Sequence, residues 1–97
     1  GKVGTVYMKG INNKAAQYIF DGIIEEEVTK FNMTVTPAGN EYDYFDEAYY
    51  INSSNSNTSY NDKIILLKDN EIIHLDCDID LSDEKNIEII ISEVDVK

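Results

Sequence analysis

A β-hairpin in the second half of the chain is the feature that most constrains the fold. The segments Lys63–Leu67 and Glu71–Leu81 flank Asp69-Asn70, a pair that tolerates the left-handed backbone of a two-residue hairpin turn. Pairing Lys68 with Glu71 sets the register, because the remaining pairs follow from their distance to the turn. The predicted pairs are Leu67 with Ile72, Ile65 with His74, and Lys63 with Asp76.

The two faces of this hairpin differ in polarity. The face expected to point into the core carries Ile64, Leu66, Ile73, Leu75, Cys77, Ile79 and Leu81. The other face carries His74, Asp76, Asp78 and Asp80, with Ile65, Leu67 and Ile72 near the turn. Alternation of this kind is typical of an antiparallel sheet with one solvated face, so we expect the three aspartates to be solvated opposite the core.

A helix is predicted between Asn12 or Asn13, either of which suits an N-cap, and about Phe31. Its apolar residues follow helical spacing, which indicates one buried face. These residues are Ala16, Phe20, Ile23, Ile24, Val28 and Phe31. Gly22 weakens the helix by up to about 1 kcal/mol relative to Ala, so a break there is an open alternative.

The remaining segments predict further strands. Lys2–Gly10 and Met33–Thr36 are expected to be strands, and Glu41–Ile51 alternates like one, although a second helix is the competing interpretation for that stretch. Asn52–Asp62 is a polar connection, and Ile87–Val96 predicts a final strand with a bulge near Ser92.

These elements together predict an α+β fold, in which one N-terminal helix packs on a mainly antiparallel sheet of five to six strands. The length of 97 residues corresponds to one domain, residues 1–97, with room for one core. No apolar run approaches the roughly 20 residues of a membrane-spanning helix. We therefore expect no membrane partner.

Charge is concentrated in the second half of the chain. The formal net charge is −11, from nineteen acidic residues and eight Lys. The first forty residues hold four Lys and four acids, whereas residues 41–97 hold four Lys and fifteen acids. Such a field repels nucleic acid and attracts basic surfaces, so direct nucleic-acid binding is not expected and a basic protein surface is the expected partner.

The candidate binding residues combine this charge with tyrosine. The segment from Glu41 to Tyr50 mixes acids, which attract Lys and Arg, with Tyr, which is enriched at binding hot spots. The alternative is an ordinary half-buried strand with its Tyr rings in the core. The candidate residues are Glu41, Tyr42, Asp43, Tyr44, Asp46, Glu47, Tyr49, Tyr50, Asp76, Asp78 and Asp80.

Catalytic and metal-binding patterns are weak. Asp76, Asp78 and Asp80 are spaced like the first ligands of a calcium loop, but the Gly and the Glu that such a loop requires are replaced by Leu81 and Ile87. The sequence has no phosphate-binding glycine loop, no metal-spaced His/Cys set and no nucleophile elbow. We therefore expect a protein that is not an enzyme and has no cofactor, with calcium binding kept as an alternative.

Regular spacing of carboxylates suggests a more specific function. Alternate residues of a strand recur about every 6.6 Å, close to two base-pair rises of about 3.4 Å, so an acidic strand face can present charge at a pitch near that of a nucleic-acid backbone. In size, acidity and Tyr content the chain is similar to small phage-encoded anti-restriction and anti-CRISPR inhibitors. This resemblance implies an inhibitor that mimics nucleic acid at a basic groove.

A structural or interaction domain of a larger surface, virion or secreted protein is the other alternative, in which acidity only maintains solubility. The lone Cys77 excludes an internal disulfide and so favours a reducing, cytoplasmic location without fixing it. The oligomeric state has no sequence signal.

Overall fold

A long helix packs against a five-stranded antiparallel sheet in the computed structural model, which describes residues 3–53, 63–77, 80, 81, 83, 85 and 86. The strands are β1 (Val3–Lys9), β2 (Met33–Pro37), β3 (Glu47–Ser53), β4 (Lys63–Lys68) and β5 (Glu71–Cys77), and the helix is α1 (Asn13–Thr29). The order across the sheet is β1-β5-β4-β3-β2, with antiparallel neighbours throughout. The predicted α+β class is confirmed. The predicted strand Ile87–Val96 and most of the predicted loop Asn52–Asp62 lie outside the described residues.

The helix begins as predicted. Asn12 has extended backbone and is the N-cap, with its Oδ1 accepting a hydrogen bond from the Ala15 amide at 2.8 Å. The chain stays helical through Gly22, so the break considered there does not occur. After Thr29, Asn32 takes a φ of 56°, a left-handed conformation that Asn tolerates and that redirects the chain into β2.

The hairpin register is confirmed at every predicted pair, from Lys68 opposite Glu71 to Lys63 opposite Asp76. Asp69 takes a φ of 55°, the left-handed conformation that the turn requires. The extent of the second strand is a correction, because β5 ends at Cys77 and neither Asp80 nor Leu81 belongs to a strand. Asp78, Ile79 and the side chain of Cys77 lie outside the described residues.

Both faces of the sheet are covered near the hairpin turn, which corrects the expectation of one core face and one solvated face. On the helix side the buried residues are Ala16, Phe20, Ile51, Ile65, Leu67 and Ile72. On the other side they are Tyr42, Phe45, Tyr50, Ile64, Leu66, Ile73, Leu75 and Leu81. The continuous apolar run Ile64–Leu67 explains the difference, because a strand buried on both faces needs apolar residues at every position. On the helix side, polarity increases along β5 to half-buried His74 and exposed Asp76.

The segment before β3 is a second correction. Glu41 and Tyr42 belong to a short 3₁₀ helix, Asn40–Tyr42, and the strand begins only at Glu47. Tyr42 and Phe45 both enter the cluster away from the helix, with ring centroids 6.3 Å apart. Residues three apart lie on one side of a helical turn but on opposite sides of a strand, so this packing requires the turn. The competing helix interpretation was therefore closer for residues 40–42.

Candidate functional site

The predicted binding residues lie at two ends of the sheet. Asp43, Tyr44 and Asp46 precede β3, and Glu47 begins it beside the hairpin turn, which we call the turn end. Asp76 is five residues along β5 from Glu71, so it lies about 17 Å away at the opposite end. The structure therefore does not bring the two predicted acidic groups together.

Asp80 does not continue the row of carboxylates that was predicted along β5. It is half-buried, and its carbonyl accepts hydrogen bonds from Asn86 Nδ2 at 3.0 Å and from the Asp83 amide at 3.3 Å. Asp78 lies outside the described residues. The expected strand pitch from Asp76 to Asp80 is thus broken at Asp80, because β5 does not reach that residue.

Two of the four predicted tyrosine anchors belong to the core. Tyr42 and Tyr50 are 2% and 5% exposed, and their rings meet edge-on at 6.1 Å. The Tyr42 hydroxyl donates to the Leu81 carbonyl at 2.8 Å. A partner cannot reach either ring in this fold, whereas Tyr44 is 51% exposed. Tyr49 is half-buried beside Phe20, at a centroid distance of 6.1 Å.

Five acidic residues lie at the turn end and form what we call the acidic rim; hydrogen bonds hold four of them, and Asp43 belongs to it by its place in the segment before β3. Its members are Asp21, Asp43, Asp46, Glu47 and Asp69. Asp46 Oδ2 accepts from the Asp69 amide at 2.8 Å, while the Asp46 amide donates to the Leu67 carbonyl at 2.8 Å. These two bonds hold the segment before β3 against the hairpin turn. The side chain of Glu41, a predicted member of this group, lies outside the described part.

Gln17 joins the helix to the rim. Its Nε2 donates to Asp21 Oδ1 at 2.9 Å and to Glu47 Oε2 at 2.5 Å, while Glu47 Oε1 accepts from the Tyr49 hydroxyl at 3.2 Å. Both hydrogens of one amide nitrogen are thereby used to hold two carboxylates close together. Within the described ranges, no rim carboxylate forms an ion pair with a Lys; the ion pair there joins Lys9 to Glu71. None of the described lysines therefore neutralises the rim charge.

Sequence reasoning missed Asp21 and Asp69. Gln17 and Asp21 are four residues apart, which indicates a shared helix face, but Gln17 and Glu47 are separated by thirty positions and no local pattern joins them. Asp69 was assigned only a turn role. Its closeness to Asp46 follows from the pairing of β3 with β4, which the sequence did not specify.

Burial and, to a smaller extent, the rim raise the pKa of the Tyr49 phenol. Partial burial of the Tyr49 hydroxyl, its hydrogen bond to Glu47 and the negative charges of Glu47 and Asp21 raise its pKa above the ordinary value of 10.0. Since the folded state holds this proton more tightly than the unfolded chain does, its stabilising contribution is present below pH 10 and is lost as the pH rises further.

A pH prediction follows from this shift. The free energy of unfolding is expected to fall as the pH rises above about 10, and to fall less steeply in Tyr49→Phe, which lacks the titrating group. Urea unfolding across this range measures both slopes, with Tyr18→Phe as the control because Tyr18 is exposed on the helix. Equal slopes for the wild type and Tyr49→Phe would contradict the assignment.

Tyr44 is the exposed aromatic group of the turn end. Its ring packs edge-on against Phe45 at 5.2 Å, and Phe45 is anchored in the core. The Lys68 ammonium lies 4.8 Å from the Tyr44 ring centroid. An exposed aromatic ring, supported by Phe45, therefore lies in the same segment as the rim residues Asp43 and Asp46.

Of the three aspartates of the calcium alternative, the structure describes Asp76 and Asp80. Among the described residues, no group of three or more His, Cys, Asp or Glu is placed to hold a metal ion. None of the helices in the described ranges has the length and apolar character required to cross a membrane. No protein-family model matches the chain, and comparisons with curated proteins and with solved structures found no match either.

Proposed function

We propose that this chain is a non-enzymatic, acidic protein-binding module that contacts a basic protein surface through the acidic rim and Tyr44. The observation that carries the proposal is the gathering of five acidic residues at the turn end, none with a Lys partner in the described ranges. Hydrogen bonds link four of them in two pairs, and the half-exposed ring of Tyr44 lies in the same segment as Asp43 and Asp46.

The electrostatics favour such a partner. The charge of −11 accelerates encounter with a basic surface, and the rim concentrates part of it at one end of the sheet. Exposed charge pairs contribute only about 0.2–1 kcal/mol each, so several of them and an aromatic anchor are needed for a specific complex. Among the four predicted tyrosines, Tyr44 is the exposed one, and its ring packs against buried Phe45.

In a more specific form of the proposal, the partner is a nucleic-acid-binding protein and this chain is its inhibitor. The similarity to phage anti-restriction and anti-CRISPR proteins suggests this form. The rim would then compete with DNA or RNA for a basic groove. Its support is now the clustered charge of the rim, because Asp80 does not continue the regular row of carboxylates along β5. Displacement of this chain from its partner by nucleic acid would distinguish such an inhibitor from a general acidic binding module.

The proposal predicts salt-dependent binding. Immobilised wild-type protein should retain a basic partner from an extract of the source organism at low salt and release it at high salt. The reason is that the screening length between exposed charges shortens from about 10 Å at 0.1 M to about 3 Å at 1 M salt. Double-stranded DNA added at constant ionic strength should displace the partner only if the site mimics nucleic acid. Retention unaffected by high salt would contradict the proposal and favour a structural interaction domain held by apolar contacts.

A further inference from the structure

The ring of Tyr44 already holds a cation from its own chain. The Lys68 ammonium lies 4.8 Å from the ring centroid, inside the distance of about 6 Å at which an ammonium is attracted by an aromatic face. The ring also packs edge-on against Phe45, which is buried, so one side of it is supported by the core. The intramolecular ammonium therefore identifies both the geometry of the site and the class of group that it accepts.

Lys68 has another favourable position close by. In the hairpin it lies directly opposite Glu71, on the same face of the sheet, at a spacing that allows cross-strand attraction between opposite charges. Glu71 Oε1 is 3.7 Å from the Lys9 ammonium, so one carboxylate lies between two lysines at this edge of the turn end. A Lys68 side chain that leaves the Tyr44 ring can turn toward Glu71, which lowers the free-energy cost of its displacement.

Resting on the proposed function, we propose that Lys68 is an internal competitor that occupies the Tyr44 ring until a Lys or Arg side chain of the basic partner displaces it. The incoming cation gains the ring face together with the negative field of Asp43 and Asp46, both exposed in the same segment. Because Lys68 must first be displaced, the wild-type site binds the partner's cation less tightly than the ring and the acids would without Lys68. Its contact with Tyr44 thus sets the affinity of the site.

Removal of the competitor should strengthen binding. A short oligolysine peptide serves as the probe. The Lys68→Gln variant is expected to bind it about two- to five-fold more tightly than the Lys63→Gln variant does. This is the factor that corresponds to the free energy of one exposed cation–π contact. Lys63→Gln is matched in net charge but lies at the opposite end of β4, about 17 Å away and beyond the Debye length at 0.15 M salt. Adding Tyr44→Leu to Lys68→Gln should abolish the gain.

A measurement on the wild-type protein keeps the test independent of any variant's folding. The ε-methylene protons of Lys68 lie near the face of the Tyr44 ring, so their NMR signals should be shifted upfield in the free protein and should move back toward ordinary lysine values on saturation with oligolysine. Equal affinities for Lys68→Gln and Lys63→Gln, or an unmoved Lys68 signal at saturation, would overturn the competitor role while leaving the proposed function intact. Failure of the wild type and all variants to bind oligolysine would overturn both.

Discussion

Phe20→Ala is expected to lower the free energy of unfolding by about 3–5 kcal/mol, as large-to-small substitutions of buried aromatic residues do. Phe20 is fully buried between α1 and the sheet and packs near Tyr49 at a ring distance of 6.1 Å. The substitution removes the main contact surface of the helix and leaves a cavity on the helix side. A domain of this size is stabilised by about 5–15 kcal/mol in total, so the loss should be measurable by urea unfolding.

Tyr18→Ala is the control for this substitution. Tyr18 lies two residues earlier on the same helix but is 81% exposed, so its removal should change the free energy of unfolding by no more than about 0.5 kcal/mol. Equal effects of the two substitutions would show that α1 does not pack through the Phe20 face.

Gly10→Ala is expected to lower the free energy of unfolding by about 3 kcal/mol, because a β-carbon there overlaps atoms that cannot move aside. It would lie 2.6 Å from the Ala16 amide nitrogen and 2.9 Å from its Cα, both in the backbone of α1. Gly10 is itself held by Asn70, whose carbonyl accepts from the Gly10 amide and whose Nδ2 donates to the Gly10 carbonyl, each at 2.9 Å. The turn end therefore cannot shift without losing these bonds.

Replacing Gly22 by alanine should have the opposite effect on the free energy of unfolding. Gly22 is exposed within α1, and an added β-carbon meets nothing within 4 Å. Gly22→Ala is expected to raise the free energy of unfolding by about 0.4–1 kcal/mol, because alanine restricts the unfolded chain and favours the helix. Thermal unfolding of the two variants and the wild type measures whether each substitution raises or lowers the stability. Tolerance of Gly10→Ala would contradict the close packing of Gly10 against the helix N-terminus, and destabilisation by Gly22→Ala would contradict the open position of Gly22 in the helix.

Local signals in the sequence predicted the local parts of this fold. The Asn12 cap, the helix and the hairpin register each depend on residues close together in the chain, and each is confirmed. The turn before β3 was missed because alternation of Tyr and acids imitates a strand. Its actual form is decided by the burial of Tyr42 and Phe45 against β3 to β5, a long-range effect.

The candidate site was predicted only in part for the same reason. Asp43, Asp46 and Glu47 were identified from composition, and they lie together because they are close in sequence. Asp21 joins them through Gln17, and Asp69 joins them through the pairing of β3 with β4, neither of which a local pattern reveals. Asp76 was grouped with them on charge alone, and the direction of β5 places it at the other end of the sheet.

Two variants of equal net charge test most directly whether the acidic rim is the binding surface. The rim variant replaces its five acids, as Asp21→Asn, Asp43→Asn, Asp46→Asn, Glu47→Gln and Asp69→Asn. The control replaces five acids elsewhere, as Glu25→Gln, Glu26→Gln, Glu27→Gln, Asp76→Asn and Asp83→Asn. Unfolding temperatures establish that both are folded before binding to the basic partner is measured at low salt.

We expect at least about tenfold weaker binding for the rim variant, since five exposed charge pairs at about 0.3 kcal/mol each reach that factor. The control should lose much less, because it removes the same charge from outside the rim. Equal losses in the two variants would show that binding depends on net charge alone, and a larger loss in the control would place the surface elsewhere; either result would contradict the acidic rim as the site.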